Sequence, residues 1–176
     1  MSEFNLLAFS GAIHQTSTCR NLIRYISNID QKCSVKLFDI SELPHFVPGV
    51  DDDVLPEVVK SLRKEVESAD ALLIITPEYV FSLPALLKNA FEWGVSSTIF
   101  DGKPVGYIVA ASSGEKAFEA LNLILETLQA RLDPACKLLL KGLKGKTNEL
   151  GAINDTEVAM KVDEFYHALK ASIVIK

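Results

Sequence analysis

The residues best suited to bind an anion lie between the first apolar run of the chain and its first helical segment. Residues 10–18 read Ser-Gly-Ala-Ile-His-Gln-Thr-Ser-Thr, and apolar residues recur at helical spacing from Ser17 to Ile29. Free backbone N–H groups, a favourable helix dipole and Ser or Thr hydroxyls together make a cradle for phosphate. The segment is equally compatible with ordinary helix capping, because neither the Gly-x-Gly-x-x-Gly spacing nor a Gly-Lys-Ser/Thr ending is present.

Other reactive side chains have simpler explanations than catalysis. Cys19 and Arg24 form Cys-x4-Arg, one residue short of the Cys-x5-Arg loop of phosphatases, and Cys19 is expected inside a helix rather than as a catalytic thiolate. The acidic run 51–53 is expected to be a solvated loop, since hard metals need several well-placed oxygens. His45 and His167 lack evident partners and are expected at the surface. No metal site is predicted.

Composition limits the class of protein. The chain has 176 residues, 48% of them hydrophobic, and a net charge of −5. We expect one domain, 1–176, that buries roughly 70% of its unfolded surface. The negative charge argues against general nucleic-acid binding. Three widely spaced cysteines, with no basic N-terminal segment and no long apolar stretch, lead us to expect a cytoplasmic protein with no membrane partner.

Short apolar runs alternate five times with helical patterns, which is typical of α/β proteins with a parallel sheet. Five strands and right-handed crossovers favour a flavodoxin-like three-layer sandwich with strand order 2-1-3-4-5. The run 71–76 should be a central strand, and the more polar run 34–40 should lie nearer the edge. The predicted strands are 4–10, 34–40, 71–76, 103–111 and 136–140, and the predicted helices are 17–29, 56–69, 83–93, 116–128 and 156–173, with a long loop at 141–154.

In such a sheet, ligands bind outside the carboxyl ends of the strands where the strand order reverses. This rule directs attention to three loops, at 10–18, 76–82 and 111–116. A phospho-receiver is disfavoured, because the first and third strands end in Ser10 and Thr76 and not in the carboxylates that Mg²⁺ requires.

The second of these loops carries the most informative motif. Residues 77–93 read Pro-Glu-Tyr-Val-Phe-Ser-Leu-Pro-Ala-Leu-Leu-Lys-Asn-Ala-Phe-Glu-Trp. The segment resembles the signature of the NADPH-dependent FMN reductase family, Pro-Glu-Tyr-Asn-x-Ser-x-Pro-x-x-Leu-Lys-Asn-Ala-x-Asp-Trp. The resemblance extends to residues 9–17, 43–44 and 101–105 and weakens beyond about residue 130. Matching positions are Pro77, Glu78, Tyr79, Ser82, Pro84, Leu87, Lys88, Asn89, Ala90 and Trp93.

The resemblance implies a subunit that binds FMN non-covalently and assembles as a homodimer or homotetramer. Hydride would pass from NADPH or NADH to FMN, and electrons would then pass to a small acceptor such as a quinone, an azo compound, a metal oxyanion or a free flavin. The flavin atom N5 would carry the chemistry, so no catalytic side chain is assigned.

The resemblance also assigns the cofactor site residue by residue. The first loop would hold the phosphate, the Pro-Glu-Tyr segment would line the isoalloxazine, and the third loop would approach its other side. The basic stretch of Lys137, Lys141, Lys144 and Lys146 is either a solvated loop or a contact for the NADPH 2′-phosphate. The candidate cofactor-binding residues are Ser10, Ala12, His14, Ser17, Thr18, Cys19, Pro77, Glu78, Tyr79, Val80, Ser82, Ser112 and Gly114.

Several positions depart from the family pattern. The family's first loop reads Gly-Ser-x-Arg-x-x-Ser-x-Asn, and this chain has Ala12, His14 and Cys19 where Ser, Arg and Asn are usual. Val80 replaces the Asn of the second loop, and Lys116-Ala117 stands where a Gly-Gly pair often occurs. Weak FMN binding is therefore expected. Two other functions stay open: a flavodoxin-type electron carrier, and a flavin-free binding protein with the same fold.

The exchange of Arg for His14 predicts a pH effect on FMN binding. Histidine ordinarily has a pKa of about 6.5, so an imidazole on the phosphate is cationic mainly below neutral pH. We expect apo-protein to bind FMN more tightly at pH 6 than at pH 8 in a fluorescence titration. His14→Asn should abolish the difference, and equal affinities in the unmodified protein would remove His14 from this role.

Overall fold

The computed structural model describes residues 4–143 and 145–174. Five parallel strands form one sheet in the order β2-β1-β3-β4-β5, which confirms the predicted flavodoxin-like topology. Five helices connect and follow them. The strands are β1 Phe4–Ser10, β2 Cys33–Phe38, β3 Ala71–Thr76, β4 Val105–Ala111 and β5 Lys137–Lys141; the helices are α1 Thr18–Ile29, α2 Glu57–Ser68, α3 Ala85–Glu92, α4 Glu115–Thr127 and α5 Thr156–Val174.

The sheet separates two hydrophobic cores, because side chains of a strand point alternately to its two faces. In β1, Leu7 and Phe9 pack with residues of α2, α3 and α4, whereas Leu6 and Ala8 pack with residues of α1 and α5. All six residues of β3 are buried, as expected for a central strand, whereas β2 is only partly buried. The helices therefore cover both faces, and only the strand ends and the edge strands reach solvent.

The second strand ends earlier than its sequence predicts. The predicted strand 34–40 is Cys33–Phe38 in the structure, and Ile40 begins a short 3-10 turn, Ile40–Glu42. The cause is a local cap: the Asp39 carboxylate accepts hydrogen bonds from the N–H and the hydroxyl of Ser41, at 3.1 and 2.6 Å. A side chain that bonds its own backbone in this way competes with the sheet ladder.

Helix α3 also begins later than predicted, at Ala85 rather than Leu83. Leu83 precedes a proline, which disfavours helical backbone at that residue, and Pro84 itself has an extended ψ of 137° at the cap position, so the helix starts at Ala85. Residues 77–84 therefore form a longer loop than 76–82, and this loop borders the candidate site.

Helix α3 anchors the loop that follows β2. The Asn89 amide donates to the Pro44 carbonyl at 2.9 Å and accepts from the N–H of Phe46 at 2.8 Å. The Trp93 indole N–H donates to the same carbonyl at 2.8 Å, and its ring meets that of Phe46 edge to face. Trp93 is 2% exposed, so it packs within the chain. These contacts explain why the family signature continues through Asn and Trp.

We expect the Asn89 contacts to contribute measurably to stability. Asn89→Ala leaves the N–H of Phe46 without its acceptor, and an unsatisfied partly buried group costs about 1–3 kcal/mol. Urea unfolding should show a loss of this size. Asn28→Ala, at an exposed position of α1, is the matched control and should be near neutral. Equal effects of the two variants would contradict this role of Asn89.

Candidate functional site

Three loops meet at one edge of the sheet because β1, β3 and β4 are adjacent and parallel. We name them loop 1 (residues 11–17), loop 2 (residues 77–84) and loop 3 (residues 112–114). The Gly11 N–H donates to the Ile75 carbonyl at 2.8 Å, which continues the β1–β3 pairing into loop 1. A Cβ at Gly11 would lie 2.2 Å from Thr76 Oγ1, so only glycine permits this approach. The predicted loops are thus brought together.

The hydroxyls of loop 1 shape the loop from inside. Ser10 is buried, and its hydroxyl donates to the Ala12 carbonyl at 2.7 Å. Ser17 caps α1 by accepting from the N–H of Arg20 at 3.3 Å, and its hydroxyl lies 3.4 Å from the same Ala12 carbonyl. Helix geometry leaves the N–H groups of Thr18 and Cys19 without an intrahelical acceptor. The loop therefore offers the backbone donors that an anion needs.

The side chains of two candidate residues in this region make contacts within the protein. Cys19 is 2% exposed and packs in the core, and burial raises the pKa of its thiol to about 12. It stays protonated, which supports the prediction that it is no catalytic thiolate. The imidazole of His14 is exposed and folds back on its own loop, with Nδ1 2.9 Å from Thr16 Oγ1.

Loop 2 is a tight hairpin with an apolar tip. Tyr79 and Ser82 exchange two backbone hydrogen bonds of 3.0 Å, and the two residues between them have left-handed φ, 50° at Val80 and 54° at Phe81. Two positive φ values are what a type I′ turn requires, and Asn and Gly supply them with least strain. The tip projects outward, because Val80 is 96% and Phe81 76% exposed.

Glu78 joins loop 2 to loop 3. Its carboxylate accepts a hydrogen bond of 3.0 Å from the N–H of Ala117, in the first turn of α4. A carboxylate at a helix N-terminus is favourable, because it satisfies a free donor and complements the dipole. Ala117 is buried and Lys116 is exposed, so the pair that replaces the family's Gly-Gly belongs to the start of this helix.

In loop 3, Ser112 and Ser113 are exposed, and Gly114 caps α4 with φ 92°. A Cβ at Gly114 would lie 2.7 Å from Leu139 Cδ1, so the close approach to β5 also requires glycine here. Loop 3 therefore brings two exposed serines to the end of β4.

The described lysines of the basic stretch already have partners. Lys137 donates to the Asn122 side chain at 2.6 Å, Lys141 pairs with Glu115, and Lys146 lies 2.7 Å from Asp155. Lys144 lies outside the described residues. The structure thus favours a solvated, paired stretch. Lys141 lies in β5 and not in a loop as predicted.

Residues 4–143 and 145–174 contain no group of three His, Cys, Asp or Glu side chains that could hold a metal ion. Within the acidic run, Asp52 pairs with Arg63 at 2.7 Å. His45 and His167 are exposed, as predicted. Among the described helices, none is long and apolar enough to cross a membrane.

Sequence reasoning missed two arginines that border loop 1. Arg20 Nη1 donates to the Gln15 side chain at 3.0 Å, and Arg24 Nη2 donates to the Gln15 carbonyl at 3.1 Å. A sequence signal for this pair exists. The two arginines are four residues apart on a helix that follows a hydroxyl-rich loop, and residues i and i+4 share one helix face. The Arg20 Nε atom is buried and has no hydrogen-bond partner among the described residues. An orphaned cationic donor beside free backbone donors fits a phosphate group.

Strain at the hairpin tip makes a testable prediction. A left-handed conformation costs roughly 1–2 kcal/mol for most L-residues but little for Asn. Val80→Asn should therefore raise the free energy of unfolding by about 1 kcal/mol in urea titrations. Val54→Asn is the control, since Val54 is also exposed (70%) but has ordinary φ. Equal changes in both variants would show that strain at position 80 is not the cause.

Comparison with known proteins is consistent with this geometry. Residues 4–140 match the model of the family described as NADPH-dependent FMN reductase. The chain is 35% identical over 170 residues to the NADH:(hydroxy)cinnamate reductase subunit CrdA of Vibrio ruber, covering 92% of this chain and 83% of that protein.

A quinone reductase of Pseudomonas putida is 26% identical over 160 residues, covering 86% of each chain. Among solved structures, the flavoenzyme NAD(P)H:(acceptor) oxidoreductase FerB of Paracoccus denitrificans superposes with a TM-score of 0.77 at 22% identity, covering 97% of each chain, which supports the fold. By the match over residues 4–140, the chain belongs to the NADPH-dependent FMN reductase family.

Proposed function

We propose that this chain acts as an NAD(P)H oxidoreductase through one FMN held at the edge formed by loops 1, 2 and 3. The observation that carries the proposal is the junction of Gly11 with Ile75 and Thr76, which joins an anion-binding loop to the Pro-Glu-Tyr hairpin. When bound, FMN supplies the redox chemistry, since it takes up hydride and releases electrons at N5. The protein supplies position and electrostatics.

Each loop has a separate task in this proposal. The N–H groups of Thr18 and Cys19 would bind the phosphate. The Ser17 hydroxyl would join them, since its 3.4 Å contact with the Ala12 carbonyl is long for an O–H···O bond, while the 2.7 Å bond from Ser10 to that carbonyl fixes the shape of the loop. Pro77–Ser82 and Ser112–Gly114 would line the site of the flavin ring. The carboxylate of Glu78 is engaged by the N–H of Ala117, so it positions loop 2 and takes no part as a base.

The exposed aromatic rings of loop 2 favour a small planar acceptor. Tyr79 is 54% and Phe81 76% exposed, and each ring offers a flat apolar surface beside the proposed flavin edge. Aromatic rings stack with offset or edge-to-face geometry, which suits a quinone. The quinone reductase similar to this chain supports that class of acceptor.

A homodimer is the proposed assembly, and the groove between α3 and α4 is the proposed interface. Val95 and Leu123 are 64% and 65% exposed there, with Lys88 and Glu92 beside them. A two-fold interface needs a self-complementary surface, and an apolar centre flanked by both signs of charge satisfies that requirement.

A second candidate function is electron input to a partner protein. The relative from Vibrio ruber is named as a subunit, and the strained apolar tip of loop 2 would suit contact with another polypeptide. Such a subunit would reduce its FMN rapidly with NADH yet turn over slowly with small quinones.

Absorbance spectroscopy of the purified protein with added FMN tests the proposed function. We expect a bound flavin spectrum that NADPH or NADH bleaches and a quinone restores. Ser17→Ala, which loses a phosphate ligand and a helix cap, should weaken FMN binding about tenfold. Ser61→Ala, exposed on α2, should leave it unchanged.

The contrary outcomes identify the alternatives. Flavin that binds but is not reduced by either nicotinamide would indicate a flavodoxin-type electron carrier. Absence of flavin binding in the unmodified protein would indicate a flavin-free binding protein.

A further inference from the structure

Loop 1 lacks the cation that its family pattern supplies. Position 14, where the resemblance predicts an arginine, holds a histidine that folds back onto Thr16. A phosphate dianion in a protein of net charge −5 needs a strong local positive charge. Another cationic side chain near loop 1 would have to supply that charge.

Arg20 lies where such a cation could act. It is the third residue of α1, and its backbone N–H is bonded to the capping hydroxyl of Ser17. Its Nη1 donates to the Gln15 side chain at 3.0 Å, so the guanidinium contacts a residue of loop 1. The side chain of Arg24, one turn later, donates to the main-chain carbonyl of Gln15. Both arginines therefore contact the same residue of loop 1.

The charge of Arg20 is not neutralised by a close carboxylate. Within the part of the chain that the structure describes, Arg20 forms no ion pair within 4 Å. Asp39 interacts with Arg20 electrostatically, but the pKa of that carboxyl is lowered chiefly by hydrogen bonds from Ser41, with Arg20 as a smaller cause. The Nε atom of Arg20 is buried without a hydrogen-bond partner.

The position of Arg20 is unfavourable without an anion. The N-terminal turn of a helix carries partial positive charge, so an acidic residue is stabilising there and a basic one is not. The first turn of α1 contains no acidic residue. A buried, unpaired guanidinium N–H at such a position gains most from a bound anion, which would satisfy both the donor and the helix dipole.

We propose that Arg20 binds the 5′-phosphate of FMN and so replaces the arginine of the family's loop, while Arg24 positions loop 1 through Gln15. This inference rests on the proposed function, because it assumes that FMN is the ligand. The 2′-phosphate of NADPH has the same chemistry, and the test separates the two sources.

The test compares dissociation constants of apo-protein for FMN and for riboflavin, which lacks the phosphate, by flavin fluorescence at pH 8 and fixed salt. Arg20→Gln should weaken FMN binding about 10- to 100-fold, the usual range for a hydrogen bond to a charged group, and should change riboflavin binding less than about twofold. Arg20→Lys should lie between, because it keeps the charge but loses the planar fork. Lys64→Gln, exposed on α2, controls for net charge and should change neither constant.

Each contrary outcome has one meaning. If Arg20→Gln leaves the FMN constant unchanged, or weakens FMN and riboflavin equally, Arg20 is not a ligand of the FMN phosphate, although the proposed function stands. If it leaves both flavin constants unchanged but, in a parallel titration of the FMN-loaded protein, weakens NADPH binding and not NADH binding, Arg20 binds the 2′-phosphate of NADPH; its assignment to the FMN phosphate is then wrong, although the proposed function stands. If the unmodified protein binds neither flavin, the proposed function fails and the role of Arg20 fails with it.

Discussion

The close approach of Gly11 to Thr76 is the constraint on which the candidate site depends. One hydrogen bond, from the N–H of Gly11 to the carbonyl of Ile75, extends the pairing of β1 with β3 past the end of the sheet. The missing Cβ at position 11 allows loops 1 and 2 to start side by side. Without this contact, loop 1 and the Pro-Glu-Tyr hairpin would be two separate surface loops.

The other loops are held by polar contacts that reach across elements. Glu78 ties loop 2 to the first turn of α4, and Asn89 and Trp93 tie the segment after β2 to α3. Each contact also satisfies a buried or terminal backbone group, which would otherwise carry a desolvation cost. The segments around the candidate site are thus joined to the helices by contacts within the chain.

The order of the strands and helices could be predicted from the sequence, because short apolar runs indicate buried strands and apolar residues at helical spacing indicate the buried faces of helices. The predicted element ends are wrong at two places. The Asp39 side chain bonds its own backbone and ends β2 early, and the backbone restriction at Pro84 makes α3 begin later than predicted. The sequence also cannot show that Val80 and Phe81 adopt left-handed φ, since neither residue favours it. The lack of a carboxylate within 4 Å of Arg20, among the described residues, is equally hidden, because it depends on the tertiary surroundings of the guanidinium.

Arg20 gives the region of loop 1 a permanent charge, because a guanidinium stays cationic and presents a planar fork of donors. The residue is held from two sides, since its Nη1 donates to the Gln15 side chain and its backbone N–H donates to the Ser17 hydroxyl. The structure thus holds a permanent cation beside loop 1, and the helix dipole makes that cation most stable when an anion is bound.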